Sequence, residues 1–185
     1  MPSPDSEIRE RLRLELEQAR AVFQDLVAAF SQQGWDAPSQ NPNWTNGQLL
    51  FHIAFAFMLV PPLCRLMRLF GHVSRNWSRR FAAVLNASTP VFNRINALGP
   101  RLAARHYRGE ALGRKYDRVY AAIRKQLELI GDDEWTRGMH YPVRWDPRFG
   151  EYVTFAELFR YPMVHFEHHR GQLRPPDPRR QPTGV

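Results

Sequence analysis

Apolar residues in the first part of the chain recur every third or fourth position. Ile8, Leu12, Leu16, Ala19, Phe23, Leu26, Val27 and Phe30 form such a stripe with charges between them, and this spacing predicts an amphipathic helix from about Ser6 to Gln33. Gly34 and the two prolines of DAPSQNPNW predict a loop. Thr45 followed by Gln48 reads as a capping box opening a second, strongly apolar helix, which Pro61 and Pro62 are expected to bend or stop after Val60. A third helix is expected from about Gly109 to Ile130, with Leu112, Tyr116, Val119, Tyr120, Ile123, Leu127 and Ile130 on one side, ended by Gly131-Asp132-Asp133. After an aromatic loop, GMHYPVRWDPRFGEY, a second capping box (Thr154, Glu157) opens a fourth helix, TFAELFRYPMVHFEHHRGQL, in which Pro162 should introduce a kink.

Four long amphipathic helices predict an all-α four-helix bundle, and the length of chain between the second and third predicts a crossover connection. That crossover, about residues 61–108, holds short helical pieces broken by Gly71, Pro90, Gly99 and Pro100, and is too short to bury a core of its own. One domain over 6–174 is therefore expected. Residues 1–5 and the Pro/Arg-rich 175–185 read as disordered ends. No internal repeat is visible, and no apolar run reaches membrane-spanning length, the nearest being LLFHIAFAFMLVPPLC.

At 185 residues, with 43% hydrophobic and 24% charged side chains, the chain has ordinary globular composition. One cysteine, Cys64, and a start without an apolar leader lead us to expect a cytoplasmic protein. Its formal charge of +8 is unevenly placed: no acid lies between Asp36 and Glu110, and nine arginines fall within 61–108. Such a segment suits a lid over a pocket or a dimer interface, then an anionic substrate or a peripheral membrane contact. Nucleic acid fits poorly, because neither a recognition-helix pattern nor an aromatic stacking motif accompanies the charge.

The candidate chemistry lies elsewhere, in the histidines. His165 and His169 are four apart and share one helix face, and His52 sits in the apolar wall of the second helix. Each alone reads as readily as a core histidine with a hydrogen-bond partner. Together, on neighbouring helices, they favour a divalent-metal site with an open position. His140, Tyr141, Arg144 and Asp146 of the aromatic loop are candidates to close over it and touch substrate, with a packing loop as the equal alternative. Cys64, past the proline pair, reads as a small buried hydrophobe rather than a nucleophile.

Two motifs carry a resemblance. NWTNGQLLFHIA, with its histidine seven residues after Thr45, and HFEHHRGQL, a histidine, three intervening residues and then His-Arg-Gly-Gln, together resemble the DinB-like superfamily of small metalloproteins. The resemblance spans most of the chain, with a longer crossover than is typical. It implies an up-down-down-up bundle, a tendency to dimerise, and zinc or nickel on His52, His165 and His169. His168 matches a variable position and Gln172 the glutamine of the motif, each implied to support the site rather than bind the ion. It also implies two functional classes. One is a thiol S-transferase that adds a mycothiol-type thiol to a small electrophilic molecule; the other is a protein that sequesters a hydrophobic molecule without turnover.

Overall fold

The computed structural model describes residues 4–71, 74–146 and 148–175. The expectations for residues 1–3 and for the tail beyond 175 lie outside them. Six α-helices run in chain order: α1 (Pro4–Gln32), α2 (Asn46–Gly71), α3 (Arg75–Ala87), α4 (Thr89–Ala103), α5 (Glu110–Glu128) and α6 (Phe155–Arg170). A single 3-10 turn, Asp132–Glu134, and two short antiparallel strands, β1 (Gly138–His140) and β2 (Tyr152–Thr154), separate the last two helices. The fold is thus mostly helical. Helix α1 packs on α5 and α6, and α2 packs on the same two helices.

The α1 stripe is buried as its spacing predicts: Leu12, Leu16, Ala19, Phe23, Val27 and Phe30 all enter the core, with Leu26 packed at its margin. Phe23 stacks on Tyr116 of α5 at 4.0 Å, and Tyr116 meets Phe57 of α2 edge-on. Polar residues hold the rim of the α1–α5 seam, where Arg20 Nε donates to Asp117 Oδ1 (2.7 Å) and Gln24 Nε2 donates to the Gly113 carbonyl (3.0 Å). Both capping boxes form. Gln48 N donates to Thr45 Oγ1 while Thr45 N donates to Gln48 Oε1, and Thr154 and Glu157 exchange the same pair of bonds at the start of α6.

Three expectations need correction. Helix α2 does not end at Val60; it continues through Pro61 and Pro62 to Gly71. Each proline removes a backbone donor, but both fix φ near the helical value. The buried stripe Phe57, Val60, Cys64 and Met67 continues across them at helical spacing, so tertiary burial holds the turn together. In consequence α2 is long and apolar enough to cross a membrane by length and composition, contrary to the shorter run read from the sequence. In the fold, 56% of its most apolar window is buried inside the protein. The crossover is likewise more regular than expected: Pro90 lies in the first turn of α4, where its missing N–H costs nothing, and Gly99-Pro100 is absorbed within that helix.

The aromatic loop between α5 and α6 is the third correction, because it begins and ends in a hairpin. Met139 pairs with Val153 and both are buried, while Gly138 lies opposite Thr154. A Cβ on Gly138 would stand 2.0 Å from the Val153 carbonyl oxygen, so the strands approach this closely only because that residue has no side chain. Replacing Gly138 by alanine should therefore cost about 2 kcal/mol or more, a fall in Tm of roughly 4–8 °C for a chain of this size. Differential scanning calorimetry checks this, and an unchanged Tm would contradict the hairpin register.

Candidate metal centre

Three histidine rings meet where α2 passes α6. His52 is carried into the core by the most apolar part of α2, between Leu49, Leu50, Ile53 and Ala56, all buried. His165 and His169 occupy successive turns of α6, on the face that also buries Phe155, Leu158, Pro162 and Phe166. His52 Nε2 lies 3.2 Å from His169 Nε2 and 3.2 Å from His165 Nε2. All three ligand atoms fall within 4.8 Å of one another. Two nitrogens held 2.0–2.1 Å from one tetrahedral ion stand roughly 3.3–3.4 Å apart, close to these separations.

The outer nitrogens determine where the protons sit. His169 Nδ1 lies 2.9 Å from Gln172 Oε1, which can only accept, so His169 carries its proton on Nδ1 and turns a bare lone pair inward. His165 Nδ1 lies 3.2 Å from the Tyr161 hydroxyl. The single proton of that hydroxyl is donated to Asp146 Oδ2, so Tyr161 accepts from His165 Nδ1–H, and His165 Nε2 is bare as well. His52 Nε2 faces both lone pairs and can donate to only one of them. Hydrogen bonding therefore leaves at least one repulsive contact, whereas a cation between the rings satisfies all three nitrogens. This donor set fits a divalent ion.

Burial supports the same protonation. Removal from water pushes the His52 pKa down to about 3 and that of His165 to about 2, with neighbouring imidazoles adding to the effect, and desolvation lowers His169 too. All three are neutral at physiological pH, the form that binds metal. His52 Nδ1 is buried without a hydrogen-bond partner among the described residues. Its ring is held by stacking instead: Trp44 covers it at 4.4 Å and 29°. Trp44 in turn donates from Nε1 to the Ala97 carbonyl of α4 (3.3 Å).

A cavity of about 270 Å³ opens above the three nitrogens. Its walls come from α2 (Phe55, Leu59, Val60, Leu63), from the loop after β1 (Tyr141, Trp145, Asp146, Arg148, Phe149) and from α4 (Phe92, Asn96). Phe92 lies flat on Trp145, 4.2 Å apart at 3°, and Trp145 Nε1 donates to the Leu85 carbonyl of α3 (2.9 Å). The crossover helices thus close one side of the cavity. Phe149 stacks on Tyr161 at 3.9 Å and fixes the hydroxyl that bridges Asp146 and His165.

Of the loop candidates, Tyr141 and Asp146 line the cavity, whereas His140 and Arg144 do not. His140 lies in β1 with its ring against Tyr152 and its amide donating to Ser78 Oγ (2.7 Å). The β pairing turns it away from the three histidines. Arg144 is exposed, and its amide donates to Asn86 Oδ1 (3.0 Å). Gln172 orients His169, and His168 lies outside the triad, exposed, with its Nε2 3.4 Å from Gln172 Nε2. Cys64 is fully buried and desolvation raises its pKa to about 12, leaving it a thiol. Sequence reasoning missed Tyr161, although its place four residues before His165 puts it on the ligand face. It also missed Trp44 as a ring cover and Phe92, Asn96 and Arg148 as cavity walls, since their roles depend on how the crossover and loop fold back.

A family model for the DinB superfamily matches residues 15–173. No curated protein and no solved structure matches the chain.

Two outcomes follow from this geometry. The histidine pKa values are lowered in the folded state, so between about pH 6.5 and pH 3 the unfolded chain binds more protons than the folded metal-free one. Stability of chelator-treated protein should fall as pH drops through that window, each such histidine contributing up to about 1.4 kcal/mol per pH unit. Urea unfolding at stepped pH measures the slope, and His52→Phe should flatten it; an identical slope in that variant would refute the protonation assigned here. Tyr161→Phe frees the His165 tautomer and should weaken divalent-ion affinity about 10- to 100-fold, as read by competition with a chromophoric chelator.

Proposed function

The chain belongs to the DinB superfamily, and from that premise we propose that it is a divalent-metal-dependent S-transferase joining a small cytosolic thiol to an electrophilic organic molecule. The observation that carries the reading is the convergence of three neutral imidazole Nε2 atoms on the floor of a largely apolar cavity. His52, His165 and His169 would hold the ion, zinc or nickel in this reading. Three protein ligands leave a coordination position for an exogenous group, as catalytic rather than structural sites do. When bound, the ion lowers the pKa of a thiol and supplies a thiolate at neutral pH.

The protein's own residues supply orientation and dryness. Gln172 and the Asp146–Tyr161 pair keep two imidazoles in the ligand tautomer, and the Trp44 stack holds the third ring. Phe55, Leu59 and Leu63 offer an apolar wall to the carbon skeleton of the acceptor, and Asn96 and Arg148 offer polar groups at the other side. A thiol of the mycothiol type, which is polar beyond its sulfur, suits that division. Cys64, buried and protonated, takes no part in the transfer. In the same reading α1, α2, α5 and α6 are the four members of the up-down-down-up bundle. The way α1 and α2 each pack on both α5 and α6 supports it.

Protein purified without chelators should contain about one divalent ion per chain, and His52→Ala and His169→Ala should lose it, as measured by elemental mass spectrometry. Failure of the wild type to bind nickel or zinc after reconstitution would end the metal reading. Loaded protein incubated with mycothiol and a panel of electrophiles should yield adducts that disappear in the His52→Ala variant. Tight binding of a panel member without any metal-dependent adduct would instead indicate sequestration.

A further inference from the structure

One exposed flank of α4, beside the face that carries Phe92 and Asn96 into the cavity wall, is apolar. Val91, Ile95, Leu98 and Leu102 recur at intervals of four, three and four, one stripe along the helix, and are 59%, 58%, 50% and 58% exposed. Four neighbouring aliphatic side chains left half or more in water are costly for a free surface. Arg94 and Arg101 follow one edge of this stripe, roughly 70–90° around the helix from its centre, and Arg105 lies in the turn that follows α4. On α3, Trp77 and Val84 are exposed in the same way, with Arg80 between them at helical spacing.

The charge carried by α3 and α4 themselves is of one sign. No acid lies between Asp36 and Glu110, and of the nine arginines within 61–108 only Arg108 makes an ion pair among the described residues, with Asp36. A second copy of the chain is a poor occupant, because a two-fold contact sets the same patch against itself and brings arginine to arginine. Nucleic acid would answer the charge but leave the aliphatic stripe in water. The headgroup region of an anionic bilayer answers both: apolar side chains enter the acyl boundary while arginines meet lipid phosphates.

We propose that the outer faces of α3 and α4 form a docking surface for anionic membranes. Because the inner face of α4 carries Phe92 and Asn96 into the cavity wall, docking would set that wall beside the bilayer. The proposal does not depend on the metal or on catalysis.

Flotation of the full chain with vesicles tests it, using phosphatidylcholine alone and phosphatidylcholine mixed with phosphatidylglycerol in equal parts. Wild type should partition to the mixed vesicles and not to the zwitterionic ones, and added salt should weaken it. The double variants Ile95→Ser/Leu98→Ser and Arg94→Gln/Arg105→Gln should each reduce the partition coefficient about tenfold or more. Unchanged circular dichroism and metal content would show both variants folded. Absence of partition by wild type, equal binding to both vesicle types, or undiminished binding by the folded variants would overturn the proposal. So would a wild-type dimer that the stripe variants convert to monomer, or retention on duplex DNA in place of vesicles.

Discussion

Three imidazole Nε2 atoms aimed at one point in the protein interior are the constraint around which the site is arranged. Neutral nitrogens at 3.2 Å cannot all satisfy one another, and burial pushes their pKa values down. Such an arrangement persists only when the surroundings over-determine it. Here they do so through Gln172, through the Asp146–Tyr161 pair, and through a tryptophan laid over the third ring. These supports come from the end of α6, from the loop after β1 and from the segment before α2. With α2, which carries His52, the site therefore depends on four separate parts of the chain being correctly placed.

The core and the site are coupled through shared helices. Helix α2 buries a continuous apolar stripe and in the same turns delivers His52; α6 buries Phe155, Phe159 and Phe166 while presenting His165 and His169. A helix that rotated to relieve the imidazole cluster would expose those core residues, so packing energy holds the three histidines in register. The crossover contributes in another way. Helix α4 has one face in the cavity and the rest of its circumference in water, joining a pocket wall to a surface of arginines and exposed aliphatic side chains.

Periodicity made α1, α5 and α6 legible because each has a one-sided apolar stripe with a cap or a glycine near its end. It misjudged α2, because the proline rule is local, whereas the burial of Val60, Cys64 and Met67 that carries the helix onward is tertiary. The short hairpin was invisible for a related reason: strands of three residues give no alternation to read, and their pairing depends on a close approach that only Gly138 permits.

By itself, the sequence determined the mostly helical class, the family, and the three histidines capable of acting together, since these follow from spacing along single helices and from two local motifs. Only the tertiary structure decided that their Nε2 atoms meet and which tautomers they hold. It also decided that Tyr161 and Asp146 belong to the site while His140 and Arg144 do not. Those properties depend on contacts between residues far apart in the chain. Hydrogen-bond direction and burial exist only once α2, α6, the loop and the crossover are brought together.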